Sequence, residues 1–282
     1  VGAFAESLPR SVVLASAWDM VRDAELPSSR YLAAALDALA VETHSSVIQG
    51  LLARITTCLS LYLPPDDRRA AAPGSAGALL ALAGNAEPGS DKQLQLVRAV
   101  AAHAVTDEQT GVVAAWLAGS DVPEGLVVDQ DLRWELLIGL VAAGRAGETE
   151  IAAEEARDLT TTGRERAAQA RAAVPTAEAK AATWRELMEN TSMPNETQVK
   201  TLRGFGDVER RPELLAPFIA EYVREADAIW DTRTFHMAEN LLTALWSTAT
   251  VGLEGVDPVG ALEGWLASHA DAPAAFRRIV AE

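Results

Sequence analysis

Cysteine and histidine, which build many reactive and metal-binding sites, are scarce in this sequence. Its 282 residues include one cysteine and four histidines. A lone cysteine forms no internal disulfide, so cysteine usage gives no sign of an oxidising compartment. The apolar, helix-like surroundings of Cys58 favour a small buried side chain over a nucleophile. The histidines form no His-Glu-x-x-His pattern and none lies three or four residues from another, so the sequence predicts no catalytic residue and no metal ligand in this chain.

Residues that favour β-strands are also few. The sequence has three Tyr and five Phe, and no segment alternates convincingly between apolar and polar residues. Alanine and leucine dominate the 49% hydrophobic fraction, and both are strong helix formers. We therefore predict an all-α fold. The seven tryptophans are spread along helical positions, where packing between helix layers is the favoured role and a peptide-binding groove is the alternative.

Basic residues are outnumbered by acidic ones, 24 to 40, which gives a net charge of −16. This charge repels phosphate backbones and anionic lipid surfaces, so we expect neither a nucleic acid nor a membrane as a partner. No run of 18 apolar residues is present to span a bilayer. The sequence begins without an initiator methionine or a signal-peptide pattern, and we interpret it as a fragment of a longer, cytoplasmic protein.

Proline, glycine and capping residues divide the sequence into short helical segments. We predict helices from Pro9 to Arg22, from Tyr31 to Ala40 and from Ser45 to Leu63. The segment 70–90 is rich in proline and glycine and is predicted to be mostly loop, with a short helix at 79–82. Further helix starts are indicated by side chains that can satisfy free N–H groups: Ser90 with Gln93, Thr106 with Gln109, Asn195 with Gln198, and Asp257 before Pro258.

The segments amount to about a dozen helices joined by short turns, a pattern typical of antiparallel helix pairs stacked side by side. The segment 131–144 is apolar on two faces, which indicates a helix packed between neighbours. No strict sequence repeat of fixed length is present. We therefore predict one helical-repeat domain over residues 1–282, an irregular α-α superhelix of HEAT-like or armadillo-like helix pairs.

Several collinear segments together resemble the C-terminal helical domain of the aminopeptidase N family, the zinc-dependent gluzincin aminopeptidases. The resemblance covers nearly the whole chain and is greatest to the bacterial branch, whose C-terminal domain is the counterpart of that in the endoplasmic-reticulum aminopeptidases. No single motif establishes the resemblance, which depends on the order and spacing of all the segments. The segments are Ser7–Arg10, Trp18–Leu26, Gly89–Leu94, Trp116–Gly119, Pro123–Leu126, Asp129–Trp134, Asp158 to Gly163, Ala170–Pro175, Lys180 with Trp184, Gly204-Phe205, Leu214–Phe218 and Ile229-Trp230 with Arg233.

The resemblance implies that the parent protein removes N-terminal residues from peptides with a zinc-activated water. In that family the zinc ligands, the general base and the amino-group anchor lie upstream, in the catalytic domain, and none of them maps onto a residue here. In members of that family, the C-terminal domain is a curved helical bowl. It closes over the catalytic domain and encloses the chamber through which peptides reach the zinc. The resemblance therefore implies no cofactor in this fragment, and two partners: the upstream catalytic domain and the peptide substrates.

Five residues are candidates for contacts with the chamber or with the catalytic domain. Asp129, Asp131, Arg133 and Trp134 lie together at a predicted helix start. The favoured interpretation is acidic capping of the helix together with core packing, and the alternative is that they line the chamber or dock on the catalytic domain. Arg233 follows Trp230 and Asp231. We predict that it forms either an ion pair at the helix end or a contact with a peptide carboxylate.

Two other functions are compatible with these residues. An independent helical-repeat scaffold would bind another protein through a concave surface. A free-standing all-α enzyme would have a site that no known motif indicates. The favoured function is the one implied by the family resemblance: a non-catalytic domain that closes over the catalytic domain of an aminopeptidase and controls access of substrate.

Overall fold

A computed structural model describes residues 6–207 and 211–281 of the chain. Within these ranges the chain forms fifteen α-helices and no β-strand, which confirms the predicted all-α class. None of the helices described is long and apolar enough to cross a membrane. The chain divides into two compact units, residues 1–140 and 141–282.

The first unit contains six helices and most of a seventh. They are α1 (Ser7–Arg22), α2 (Ser28–Val41), α3 (Ser45–Thr57), α4 (Pro65–Asn85), α5 (Asp91–His103), α6 (Asp107–Leu117) and α7 (Gln130–Ala142). A π-helical turn, Cys58–Tyr62, extends α3. The Trp18 ring lies 5.1 Å from that of Tyr31 and 5.3 Å from that of Tyr62, which ties α1 to α2 and to the π-helical turn.

The second unit contains eight further helices. They are α8 (Glu148–Arg157), α9 (Thr161–Ala173), α10 (Ala177–Glu189), α11 (Asn195–Gly206), α12 (Phe218–Thr232), α13 (Phe235–Leu245), α14 (Pro258–Ser268) and α15 (Ala274–Ala281). Single 3₁₀ turns lie at Pro212–Leu215 and Thr248–Thr250. Aromatic pairs join the helices, as the tryptophans predicted: Trp184 stacks on Phe218 at 5.1 Å, and Trp230 stacks on Phe276 at 4.8 Å.

The prediction of a loop over 70–90 is wrong. Helix α4 continues through Pro73 and ends at Asn85. An interior proline costs a helix about 3 kcal/mol, and each glycine up to about 1 kcal/mol. Tertiary packing offsets these costs, because α4 packs along α5 and buries Ala76, Leu79 and Ala83. Local composition therefore gave the wrong answer where neighbouring helices supply the stability.

The predicted helix caps are mostly present. The side chains of Ser90, Thr106 and Asp257 accept hydrogen bonds from the backbone N–H three residues later. Asn195 is the exception, since it is the first residue of α11 and its side chain makes no capping hydrogen bond. The N–H of Gln198 donates instead to the carbonyl of Pro194 at 2.9 Å, so the group that Asn195 was predicted to satisfy has a backbone partner.

Two pairs of helices approach so closely that only glycine fits between them. A Cβ at Gly204 of α11 would overlap the carbonyl oxygen of Gln169 in α9. In the first unit, a Cβ at Gly139 of α7 would overlap the carbonyl of Ala101 in α5. Small residues allow backbones to approach within contact distance, so these two glycines set the spacing of their helix pairs.

Replacing Gly204 with alanine should therefore lower the free energy of unfolding by about 1–3 kcal/mol, because α9 and α11 must move apart. Gly206, in the last turn of the same helix, is the matched control, since a Cβ there meets no atom within 4 Å. Gly206→Ala should change stability by less than about 0.5 kcal/mol. Urea unfolding monitored by tryptophan fluorescence measures both variants, and equal losses would contradict the close contact.

Candidate functional site

Asp129 and Asp131 lie at the start of α7 and are exposed. The Asp129 carboxylate accepts a hydrogen bond from the N–H of Leu132 at 2.9 Å, and the Asp129 carbonyl accepts one from the N–H of Arg133 at 2.9 Å. These are the contacts of a helix N-cap, and a negative charge at this end is favoured by the helix dipole. Capping thus accounts for Asp129.

Arg133 and Trp134 follow in the first turn of α7. The Arg133 guanidinium is half-buried and donates from Nη1 to the carbonyl of Leu117, the last residue of α6, at 3.0 Å. Trp134 has no exposed surface. The structure thus brings the four predicted residues together, with two carboxylates at the surface, a guanidinium on a helix end and an indole in the core.

Arg233, in the second unit, forms no ion pair among the described residues, and a contact with a peptide carboxylate stays a prediction. Its half-buried guanidinium donates from Nη1 to the carbonyl of Asn190 at 3.1 Å, and from Nη2 to the carbonyls of Leu187 at 3.1 Å and Met188. These carbonyls lie at the C-terminal end of α10, where no intrahelical donor reaches them. Arg233 therefore caps a neighbouring helix.

Lys180 is the most deeply buried charged group among the described residues, with an exposed fraction of 0%. Its ammonium donates to the carbonyls of Ala172 at 2.6 Å, Gly204 at 3.0 Å and Phe205 at 3.0 Å. One side chain in α10 thus satisfies the C-terminal carbonyls of both α9 and α11. In the sequence, Lys180 stands out only within the family resemblance, because a lysine in an alanine-rich helix gives no signal of burial.

Burial lowers the pKa of Lys180 to about 8, although the nearby carboxylate of Asp207 acts in the opposite direction. A desolvated ammonium loses its hydration, and this favours the neutral amine. The three carbonyl acceptors and the negative end of two helix dipoles hold the charge in place. Lys180 is therefore a structural cation with an unusual titration.

Glu42 forms a second buried polar cluster, at the end of α2. Its carboxylate accepts hydrogen bonds from Ser7 at 2.8 Å, from Arg10 at 3.2 Å, and from the N–H groups of Thr43 at 2.9 Å and His44 at 3.0 Å. Burial raises the pKa of Glu42, but these donors outweigh it and hold the pKa at about 2. We call these residues the Glu42 cluster; it fixes the start of α1 against the turn between α2 and α3.

Open grooves lie in both units. In the first unit, a groove of about 320 Å³ lies between α1 and α3. In the second, a groove of about 730 Å³ lies between α11 and α13, where Val199 and Leu202 face the polar side chains of Arg203, Glu239 and Asn240. Neither groove was predicted, because its walls come from helices far apart in sequence.

Within residues 6–207 and 211–281, no three His, Cys, Asp or Glu side chains are grouped to hold a metal ion. The histidines have other neighbours: Nε2 of His103 lies 2.8 Å from the Thr56 hydroxyl, and Nε2 of His269 lies 3.0 Å from the Asp227 carboxylate. Cys58 is buried, and burial raises its pKa to about 11. The thiol is thus protonated at neutral pH, as expected for a buried hydrophobic residue.

Comparison with known proteins agrees with the segments noted in the sequence. A family model described as the ERAP1-like C-terminal domain matches residues 2–282. The chain belongs to this family. It is also 41% identical over 282 residues to aminopeptidase N of Streptomyces lividans. That match covers 100% of the chain and 32% of the relative, so the ERAP1-like C-terminal domain seen here spans about a third of that protein's length.

Replacing Lys180 with methionine should destabilise the second unit of this ERAP1-like C-terminal domain by about 3 kcal/mol or more, because three buried carbonyls lose a charged donor. The loss should depend on pH. The pKa is about 8 in the folded chain against an ordinary value of 10.5, so the unfolded state binds more protons between these values and wild-type stability rises with pH.

The difference in unfolding free energy between wild type and Lys180→Met should thus grow by about 2 kcal/mol from pH 7 to pH 9.5. This window lies below the ordinary pKa of tyrosine, so tyrosine titration does not intrude. Urea unfolding at a series of pH values measures the difference. A difference that stays constant or shrinks over the window would contradict the lowered pKa.

Replacing Arg233 with methionine should cost about 1–3 kcal/mol of stability, because the α10 carbonyls lose their donors. Arg203→Met is the matched control, since that guanidinium is exposed and has no hydrogen bond or ion pair in the described chain. Its replacement should change stability by less than about 0.5 kcal/mol. Thermal unfolding compares the two, and a larger loss for Arg203→Met would disprove the capping role.

Proposed function

We propose that this chain is the non-catalytic C-terminal domain of a zinc-dependent aminopeptidase. The observation that carries the proposal is the match to the ERAP1-like C-terminal domain over residues 2–282, together with 41% identity to an aminopeptidase N along the whole chain. An identity of this size over every helix supports a shared role in the parent protein. We further propose that the parent is cytoplasmic.

In this proposal the helices form a curved bowl that closes over the upstream catalytic domain and encloses a chamber. Peptides would enter the chamber to reach the active site, while folded proteins would be excluded by size. The net charge of −16 supports a preference for basic peptides, since a wall of this sign concentrates cations. The domain would thus select substrates sterically and electrostatically, without touching the scissile bond.

The zinc of such an enzyme is not assigned to this chain. The described residues offer no set of three ligands, and Cys58, the one thiol, is buried and protonated. We propose that the metal is bound in the upstream catalytic domain, which the resemblance implies. No chemical step is therefore derived for residues of this chain.

The groove between α11 and α13 supports a role in contacting substrate. Its volume of about 730 Å³ is sufficient for several amino-acid residues. The groove is lined by the unpaired guanidinium of Arg203, the carboxylate of Glu239 and the apolar side chain of Val199, a combination that suits contacts with apolar and charged groups of a peptide. The same groove would serve as a contact for the distal part of a long peptide.

The test is the dependence of hydrolysis on peptide length in the full-length parent protein. We expect kcat/KM to vary strongly for peptides of increasing length, and deletion of this domain to flatten that variation. A fluorogenic aminoacyl amide, too short to reach the wall, is the control substrate, and bound zinc reports whether the deleted protein retains its catalytic domain. An unchanged length profile in a folded, zinc-containing deletion variant would contradict the proposal.

A further inference from the structure

Helix α1 exposes large apolar side chains on the face opposite the core. One face is buried in the first unit through Leu14 and Val21. The opposite face exposes Leu8 at 73%, Val12 at 56% and Met20 at 41%. Asp19 and Arg22 are exposed near the end of the helix, so the apolar part of this face is its first half, around Leu8 and Val12. An exposed apolar patch of this kind is typical of a contact surface.

The same surface lacks acidic residues, and Arg54 is the charged residue that lines its groove. The chain has 40 acidic residues in 282, about one in seven, yet residues 7–18 and 43–65 contain none. These stretches include most of α1 and all of α3, which face each other across the 320 Å³ groove. Depletion of charge distinguishes the centre of a protein interface from ordinary surface.

The groove between the two helices is shaped to receive side chains. It is lined by Val12, Ala15 and Val47, and its floor is open at Gly50, where a Cβ would meet no atom within 4 Å. The Glu42 cluster holds the start of α1 in place through the buried pair of Arg10 and Glu42. The groove is thus preformed, which lowers the entropic cost of filling it.

We propose that this surface, formed by residues 7–18 of α1 and by α3 and free of acidic residues, is the docking site for an apolar segment of the polypeptide that precedes this domain in the parent aminopeptidase. The inference rests on the proposed function. The matched segment is 32% of Streptomyces lividans aminopeptidase N and the family is described as a C-terminal domain, so about two thirds of that relative's length lies outside the match. In a parent of that organisation, a polypeptide that precedes the domain would join it on the N-terminal side of α1, which lines this groove.

The test measures solvent access to the groove in the full-length parent protein. Cysteine is introduced at Val12 or, as a matched control, at Val259 of α14, because these two helical valines are exposed to nearly the same extent, 56% and 54%. Labelling with a maleimide is followed at each site by mass spectrometry of the peptides. Cys58 adds no signal, because it is buried.

We expect labelling at position 12 to be at least tenfold slower than at position 259, independently of protein concentration. Equal rates would overturn the docking site. Slow labelling that becomes fast on dilution would identify a second copy of the chain as the occupant and would also overturn it. Gly50→Cys provides a second probe in the same groove if Val12→Cys impairs folding, since its side chain has free space.

The outcome is separable from that of the proposed function. Fast labelling at position 12, combined with a length profile that depends on this domain, would leave the chamber role intact and reject only the docking surface. Slow labelling with an unchanged length profile would show a domain that is docked as proposed but does not select peptides.

Discussion

The second unit depends on the ammonium of Lys180, which is the point at which three helix segments meet. Helices α9 and α11 end side by side, where the last carbonyls of a helix lack the usual intrahelical donors. Of the three carbonyls that Lys180 contacts, that of Gly204 also accepts a hydrogen bond from a backbone donor, the N–H of Asp207. Placed in an apolar core without partners, each would cost about 1–3 kcal/mol. A single buried cation on α10 satisfies three of them at 2.6–3.0 Å. The contact is possible because Gly204 allows the two helices to approach so closely.

The same solution recurs throughout the chain. Arg133 donates to the end of α6, Arg233 to the end of α10, and Lys92 to the carbonyls of Ala40 and Glu42 at the end of α2. A stack of short helices has many ends for its size, and each end has a partial negative charge. A basic side chain from a neighbouring helix both donates hydrogen bonds to the free carbonyls and neutralises this partial charge. In an acidic chain with few basic residues, several of those residues are therefore committed to structure.

This commitment explains what the sequence could and could not predict. Helix propensity and periodicity predicted the all-α class, and capping patterns at Thr106 and Asp257 located helix starts, because both signals are local. Most of helix α4 was not predicted, since its stability comes from packing on α5 and not from the helix propensity of its own residues. The capping roles of Lys180 and Arg233 were not predicted either, because they too depend on distant contacts. Their partners are carbonyls 8–25 and 43–46 positions away in sequence, and a carbonyl has no sequence signature.

The distribution of charge then separates structural from contact surfaces. Where acidic residues surround a helix, as they do around α8, solvation of its outer face is the expected state. Where residues 7–18 of α1 and all of α3 lack acidic residues and α1 exposes leucine and valine, solvation is unfavourable by about 25 cal/mol for each Å² of apolar surface. A chain with a net charge of −16 could reduce that exposure with single substitutions to Asp or Glu. Retaining an apolar surface beside a rigidly held α1 is consistent with a surface that another part of the same polypeptide covers.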